Sequence, residues 1–193
     1  MFMSLEKIKE KGFVPKVILD VGACYGEWTQ ECRRVYPEAE YYLFEAINYK
    51  ALYTIGCNVF NVLLDKEEGE VDWYENRNTG DSMFKERTFI YENTTPIKRK
   101  TTTLDNIIAD SVQGNILLKI DCQGAEIPIL KGAKRVLEKT EFILLEIPFF
   151  GQYNEGVPSF LEHIQFMDTI GFIPYDLCEL HYFNGYTIQC DML

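Results

Sequence analysis

Val17-Ile18-Leu19-Asp20-Val21-Gly22-Ala23-Cys24-Tyr25-Gly26 is the stretch that decides the fold. The apolar run Val17, Ile18, Leu19 and Val21, interrupted only by Asp20, reads as a strand buried on both faces in the middle of a parallel sheet. Gly22 and Gly26 bracket a tight turn, and residues 27–36 read as the helix that follows, stopped by Pro37. Strand, glycine turn and helix in that order bring backbone N–H groups against an anionic or nucleoside ligand at a helix N-terminus.

Working outward, residues 40–45 form a second strand ending on Glu45, 48–55 a short helix closed by Gly56, and 59–65 a third strand finishing on Asp65. Strands with helical spacers are the βαβαβ pattern of a doubly wound sheet. The rhythm then changes. Residues 66–69 turn, 71–74 read as an antiparallel return strand, 76–81 (NRNTGD) as a polar loop, and 97–103 as an edge strand dense in Lys and Thr. Residues 70–103 are therefore expected to be a β elaboration between the third and fourth core strands, a flap over the ligand crevice. Alternation resumes with a helix over 104–110, a fourth core strand over 116–121, a helix over 124–138 and a fifth strand over 142–146. A glycine-rich aromatic loop occupies 148–158, and Ser159 caps a helix running to Ile170. Strands over 173–180 and 186–193, joined at Asn184-Gly185, are expected to be antiparallel neighbours. The expected architecture is α/β: one domain over 1–193, a mostly parallel sheet with an antiparallel C-terminal hairpin, and a helical lead-in over 1–12.

Composition excludes several classes. A chain of 193 residues, 47% hydrophobic, has enough material for a full core. No stretch approaches the ~18 unbroken apolar residues of a membrane span, and the N-terminus lacks a signal-peptide apolar region. The six cysteines are scattered without a C-x-x-C pair, which points to reduced thiols and a cytoplasmic location. The sequon at 93–95 is then idle. A net charge of −11 with no basic stripe argues against nucleic acid as a partner, and nothing indicates a membrane surface. Oligomeric state is open.

In open α/β sheets the ligand sits beyond the carboxyl ends of the strands, where strand order reverses. Asp20, Glu45, Asp65, Asp121 and Glu146 all fall at or near such ends. Any one acid reads as well as a helix or turn cap; five in register with five strand ends read as a site. Glu45 lies 45 − 22 = 23 residues past Gly22, where an acid accepts hydrogen bonds from ribose hydroxyls. A dinucleotide turn needs G-x-G-x-x-G, but Cys24 holds the middle position and Glu27 the third, and a carboxylate at the helix entrance is a poor neighbour for a diphosphate. S-adenosylmethionine carries a sulfonium and an ammonium and no phosphate, so it suits acidic surroundings.

The chain resembles the FkbM-type family of S-adenosylmethionine-dependent methyltransferases. The resemblance rests on ILDVGACYGEWT (18–29), FEA (44–46), VLLDKEEGEVDWY (62–74), TTTLDNI (101–107), LLKIDCQGAEIPILKGA (117–133) and GYTIQCDML (185–193). It implies a Rossmann-like class I methyltransferase fold and O-methylation of a small-molecule or glycan hydroxyl. It further implies that Gly22, Ala23 and Gly26 pass under the methionine part of the cofactor, with Asp20, Cys24 and Ala46 beside them, and that Glu45 binds ribose. Asp65 and Ser82 would mark the adenine neighbourhood, and Asp121 would lie near the transferable methyl. The family usually has Asn at position 24 and commonly Glu at 123, where this chain has Cys24 and Gln123. Its members usually continue the last strand beyond the position of Leu193, so a minimal edge strand is expected here.

Methyl transfer to an alcohol requires alignment and removal of a proton. Asp121 is expected to be the base or acceptor-orienting group, with Glu146 and Glu126 as supporting carboxylates; burial and mutual repulsion would raise one pKa. The same trio has the oxygen chemistry to hold a divalent cation, but no His joins it, and the metal-free reading is preferred. His163 reads as a satisfied, half-buried imidazole and His181 as solvent-facing, while Cys24 and Cys122 read as small buried thiols. Phe149, Phe150 and Tyr153 serve either packing or as a platform for a flat acceptor face. Two other functions stay open: a protein that keeps the fold without turnover, and a nicotinamide oxidoreductase, which the turn sequence disfavours.

Overall fold

A computed structural model describes residues 1–149 and 154–193. It begins with helix α1 (Phe2–Glu10) and strand β1 (Val17–Val21), all five residues of which are buried. Side chains alternate across a strand. Val17, Leu19 and Val21 accordingly enter one apolar core and Ile18 the other. Helix α2 (Glu27–Val35) follows the glycine turn, then β2 (Glu40–Glu45), a 3-10 turn (Lys50–Thr54) and β3 (Asn58–Asn61). Strands β4 (Gly69–Trp73) and β5 (Ile97–Thr101) pair antiparallel as a separate ribbon. The chain continues through α3 (Leu104–Ile108), β6 (Ile116–Ile120), α4 (Glu126–Lys131), α5 (Lys134–Leu137), β7 (Thr140–Pro148), α6 (Phe160–Thr169), β8 (Leu177–Phe183) and β9 (Tyr186–Met192).

The main sheet has seven strands in the order β3-β2-β1-β6-β7-β9-β8. β3, β2, β1, β6 and β7 run parallel, and β9 pairs antiparallel with both β7 and β8. One face packs on α3 to α6 through Leu104, Ile108, Leu130, Val136 and Met167, the other on α1 and α2 through Leu5, Ile8, Cys32 and Val35. The order reverses between β1 and β6. A crevice therefore opens beyond their carboxyl ends.

Several expectations are corrected. The third strand stops at Asn61 rather than running to Asp65. Val62 N donates to Glu45 O at 3.1 Å, and the chain then crosses to the ribbon, where Leu64 bridges Thr102. The helix expected over 124–138 divides at Gly132, where the chain passes so close to the carbonyl oxygen of Asp65 that a Cβ would stand 2.4 Å from it and only glycine fits. The second piece, α5, starts anew with the Asp105 carboxylate accepting from Arg135 N and Val136 N, both at 3.0 Å. The last strand is no minimal edge: β9 spans seven residues inside the sheet, and β8, which begins at Leu177 rather than 173, is the edge. Among the described residues no helix is long and apolar enough to cross a membrane.

Candidate active site

The glycine turn is built by its backbone. Gly22 N and Ala23 N both donate to Phe44 O, at 2.9 and 3.2 Å. Gly22 has φ +76°, and a Cβ on it would lie 1.9 Å from Asp121 O, so only glycine lets the ends of β1 and β6 meet. Cys24 takes φ 48°, the left-handed region that Asn tolerates best after glycine. Glu45 ties the end of β2 to this turn: its Oε2 accepts from Cys24 N and its Oε1 from Ile47 N, both at 2.8 Å. Each oxygen keeps acceptor capacity for a ligand hydroxyl. Burial pushes the Glu45 carboxyl up, against the two N–H bonds.

Beneath the turn lies a buried ion pair. Asp20 and Lys119 face each other in the β1–β6 register, with Lys119 Nζ 3.1 Å from Asp20 Oδ1, 3.0 Å from Gly22 O and 3.5 Å from Asp121 Oδ2. Thr29 Oγ1 donates to Asp20 Oδ2 at 2.6 Å. Burial alone would lower the Lys119 pKa, but Asp20 and Asp121 outweigh it and hold the ammonium above its ordinary value.

At the end of β6, Gln123 adopts φ 51°, and its Nε2 donates to Glu146 Oε2 at 2.8 Å while lying 3.5 Å from Asp121 Oδ1. Gln189 Nε2, from β9, donates to the same Glu146 oxygen at 3.0 Å. Burial, then the charge of Asp121, holds the Glu146 carboxyl well above the usual carboxylate range. The charge on Asp121 and the burial of Glu146 thus favour the protonated form of the Glu146 carboxyl.

These groups line a cavity of about 570 Å³, within the range of small-ligand sites. One end carries Gly22, Cys24, Glu45, Ala46, Ile47 and Tyr49; the other carries Asp121, Gln123, Glu146, Ile188 and Gln189. Leu63, Leu64, Trp73, Met83, Ala125 and Ile129 supply an apolar wall, and Asn78, Asp81 and Glu86 project from the segment between β4 and β5. Among the described residues that line it, Glu45, Asp81, Glu86, Asp121 and Glu146 are the carboxylates, and no lysine, arginine or histidine is present. Among the described residues no three His, Cys, Asp or Glu are grouped to hold a metal ion.

Of the residues singled out in the sequence, Gly22, Cys24, Glu45, Ala46, Asp121, Cys122, Gln123 and Glu146 line this one cavity. The others stand elsewhere. Asp20 is wholly buried under the turn, Ala23 packs into the α1–α2 core, and Gly26 takes φ +79° with Ile55 Cδ1 2.6 Å from where a Cβ would sit. Asp65 lies outside the cavity with its Oδ1 accepting from Lys66 N at 2.7 Å, because β3 ended four residues earlier. Ser82 is buried and clasps the β4–β5 segment to the β6 turn, its Oγ donating to Gln123 O at 2.9 Å. Glu126 is 1% exposed, and its Oε1 accepts from Cys122 N and Gly124 N at 2.9 and 3.2 Å, which shapes the turn that carries Asp121. His163 is fully buried rather than half-buried, with Nδ1 on Ser159 O at 2.9 Å, and His181 Nε2 is held by Asp191 Oδ2 at 2.8 Å rather than facing solvent alone. Burial raises the Cys24 thiol to about 11 and the Cys122 thiol well above its usual value, so neither is a thiolate at neutral pH. Phe149 is half exposed and packs edge-on against Phe160; Phe150 and Tyr153 lie outside the described residues.

Sequence reasoning missed Tyr49, Asp81 and Gln189, and it noted Gln123 only as an amide in place of a carboxylate. Asp81 belongs to the NRNTGD loop, whose polarity signalled a site but not which residue; it accepts from Asn76 N and Arg77 N at 2.8 Å and from Tyr91 Oη at 2.6 Å. Gln189 carried no local signal at all.

A doubly wound sheet with this strand order, an antiparallel final hairpin and a crevice of acids at the reversal point defines a class I methyltransferase fold. Residues 20–174 match the Methyltransferase FkbM domain, and the chain belongs to that family. It is similar in structure to the methyltransferase FkbM of Methylobacillus flagellatus KT, with a TM-score of 0.59 and 15% identity, over 93% of this chain and 44% of that one. It also resembles the Burkholderia thailandensis 1,6-didemethyltoxoflavin-N1-methyltransferase, solved with 1,6-didemethyltoxoflavin and S-adenosylhomocysteine. There the TM-score is 0.52 and the identity 10%, over 98% of this chain and 75% of that one. The chain thus spans less than half the length of the first of these proteins. No curated protein sequence is matched.

Proposed function

We propose that this chain transfers a methyl group from S-adenosylmethionine to a hydroxyl of a small molecule or glycan. The observation that carries the reading is the charge of the cavity: five carboxylates line it beside a glycine turn, and no basic side chain does among the described residues. Such a lining suits a sulfonium and an ammonium and is unsuited to a diphosphate. The residues present fit that cofactor. Glu45 would take the ribose hydroxyls, Gly22, Cys24 and Ala46 the methionine portion, and the apolar wall with Asp81 the adenine. When bound, the cofactor supplies an electrophilic methyl on a cationic sulfur that leaves readily.

The chain's own residues do the rest. Asp121 and Gln123 orient the acceptor oxygen, and alignment accounts for most of the acceleration a protein can add here. Lys119 lies 3.5 Å from Asp121 and holds it in place, and Asp121, the acid the acceptor can reach, receives the hydroxyl proton beside Glu146, whose carboxyl burial and the charge of Asp121 push up. No step requires a metal ion. The six free cysteines support a reducing, cytoplasmic setting.

Calorimetric titration with S-adenosylmethionine, S-adenosylhomocysteine and NAD tests the reading. The first two are expected to bind and NAD not. Binding of NAD alone would overturn it, and binding of none would leave a protein that keeps the fold without turnover. Mass spectrometry of a panel of hydroxylated acceptors incubated with the cofactor then identifies the product.

A further inference from the structure

Beyond the cavity, polar side chains continue across the sheet to the surface. Glu146 on β7 lies opposite Asp191 on β9, and Glu179 on β8 lies opposite Asp191. Directly opposed residues of an antiparallel pair project from the same face with Cβ atoms about 4.5–5.5 Å apart, which places the two carboxyl groups within reach of each other on one face. The donation from Gln189 to Glu146 at 3.0 Å confirms that these β7 and β9 side chains share a face. Asp191 is only 4% exposed, yet its Oδ2 is 2.8 Å from Nε2 of His181, whose side chain is 35% exposed. The line Asp121, Glu146, Asp191, His181 therefore runs from the end of β6 across β7, β9 and β8 to solvent.

Resting on the function proposed above, we infer that Asp191 and His181 form the exit path for the proton that methylation releases. As the acceptor oxygen bonds to the methyl carbon and the sulfur keeps the electron pair of the broken bond, the hydroxyl proton passes to Asp121. The Asp121–Glu146 pair then holds two protons and gives one to Asp191. Asp191 hands it to His181 Nε2, and the imidazole releases a proton from Nδ1 to water, the exchange to which imidazole is suited near neutral pH. One proton enters and one leaves, and the carboxyl pair returns to its starting state.

Three features support the path. Among the described residues no cation pairs with Glu146, and the charged groups that push its carboxyl up are Asp121, Glu126 and Asp191. Asp191 faces His181, Glu179 and Asp121, and its carboxyl is pushed up by burial against the pull of His181. On the other side of Asp121, Lys119 is itself no outlet, since its side chain is 6% exposed and committed to Asp20 and Asp121. His181 and Asp191 act through Glu146 and are positioning residues for proton transfer.

With only two histidines in the chain, the Hε1 resonance of His181 is resolved by NMR and assigned with His163→Gln. A pH titration of the free protein is expected to show His181 in two coupled steps, collapsing to one in Glu146→Gln and in Asp191→Asn. A single step unchanged by Glu146→Gln would overturn the path, whether or not the protein proves to be a methyltransferase. In turnover with the best acceptor of the panel, His181→Ala is expected to lower kcat roughly tenfold or more at unchanged cofactor affinity, with a raised solvent isotope effect and recovery on addition of imidazole. Full kcat in His181→Ala would overturn it too, and His181→Gln, which preserves the hydrogen bond to Asp191 but cannot relay, is expected to behave as His181→Ala. Parallel loss of affinity and kcat without imidazole recovery would assign the pair to structure alone and also overturn it. Absence of cofactor binding by the wild-type protein would instead defeat the function proposed above and leave the NMR titration to decide the path.

Discussion

Glu45→Gln separates the two things the Glu45 carboxylate is doing. One oxygen accepts from Cys24 N and the other from Ile47 N, both at 2.8 Å, so the side chain clamps the glycine turn to the end of β2 before any ligand arrives. A carboxamide keeps a single acceptor oxygen. Its NH2 group must face one of those two N–H groups, donor against donor, whichever way the amide is turned. Loss of a hydrogen bond to a charged acceptor, with the partner N–H left half-buried, costs about 1.5–3 kcal/mol. At about 2–4 °C per kcal/mol for a chain of this size, the melting temperature is expected to fall by roughly 3–12 °C. Affinity for S-adenosylmethionine falls further, because the amide also pairs poorly with two ribose hydroxyls: a further loss of about 1–3 kcal/mol is roughly 5- to 150-fold. Thermal melts of the free protein and calorimetric titration of the cofactor read the two effects separately. A variant that melts with the wild type and binds the cofactor equally well would show that the carboxylate neither holds the turn nor touches the ligand.

Gly22→Ala is expected to cost about 2–5 kcal/mol, from a positive φ and a Cβ placed 1.9 Å from Asp121 O, and a melt shows it as a drop of roughly 4–20 °C. Asp121→Asn is expected to lower turnover far more than cofactor affinity; equal losses in both would make Asp121 a cofactor contact only. Glu146→Gln tests the protonated carboxyl through stability. Because the folded-state pKa is raised, the native state holds a proton the unfolded chain has lost, so wild-type stability falls as pH rises from the ordinary carboxylate range to the raised value, by at most about 1.4 kcal/mol per pH unit. Gln mimics the protonated form, and denaturant melts across that window are expected to show the slope removed in the variant; an unchanged slope would place the proton elsewhere.

The part of the fold that was legible in the sequence is the part whose determinants are local. Ten residues from Val17 to Gly26 contain a strand buried on both faces and the glycines that let it meet β6, and both signals survive without knowledge of the neighbours. What was not legible is decided at a distance. The apolar period of 124–138 runs unbroken past Gly132, yet the helix divides there, where the Asp65 carbonyl crosses the site and Asp105 caps the second piece. Asp65 ends an apolar run as plausibly as Glu45 does. Its place outside the cavity follows from β3 losing its partner at Asn61, which only the course of the β4–β5 ribbon explains. Gln189 was silent for a related reason: Asn184-Gly185 announces a hairpin but not which of its strands docks on β7, and only the docking of β9 brings that amide to Glu146.

Acids at strand ends are a pattern; their roles come from register. Asp20 and Asp121 flank the same Lys119, at 3.1 and 3.5 Å, and by type and spacing they are equivalent. Asp20 lies within β1, directly opposite Lys119, and is sealed at 0% exposure, so it can only hold that lysine charged. Asp121 stands one residue past β6, with its side chain 36% exposed, so the same cation supports an acid that a ligand can reach. Gln123 completes the arrangement. The resemblance to the family leads to the expectation of a carboxylate at this position, and here an amide bonds to Glu146 and reaches toward Asp121. An amide donates without titrating, so this chain confines the mobile proton to a pair of carboxyl groups instead of spreading it over three. On the proposed path, that pair hands the proton on from Glu146 through Asp191 to His181.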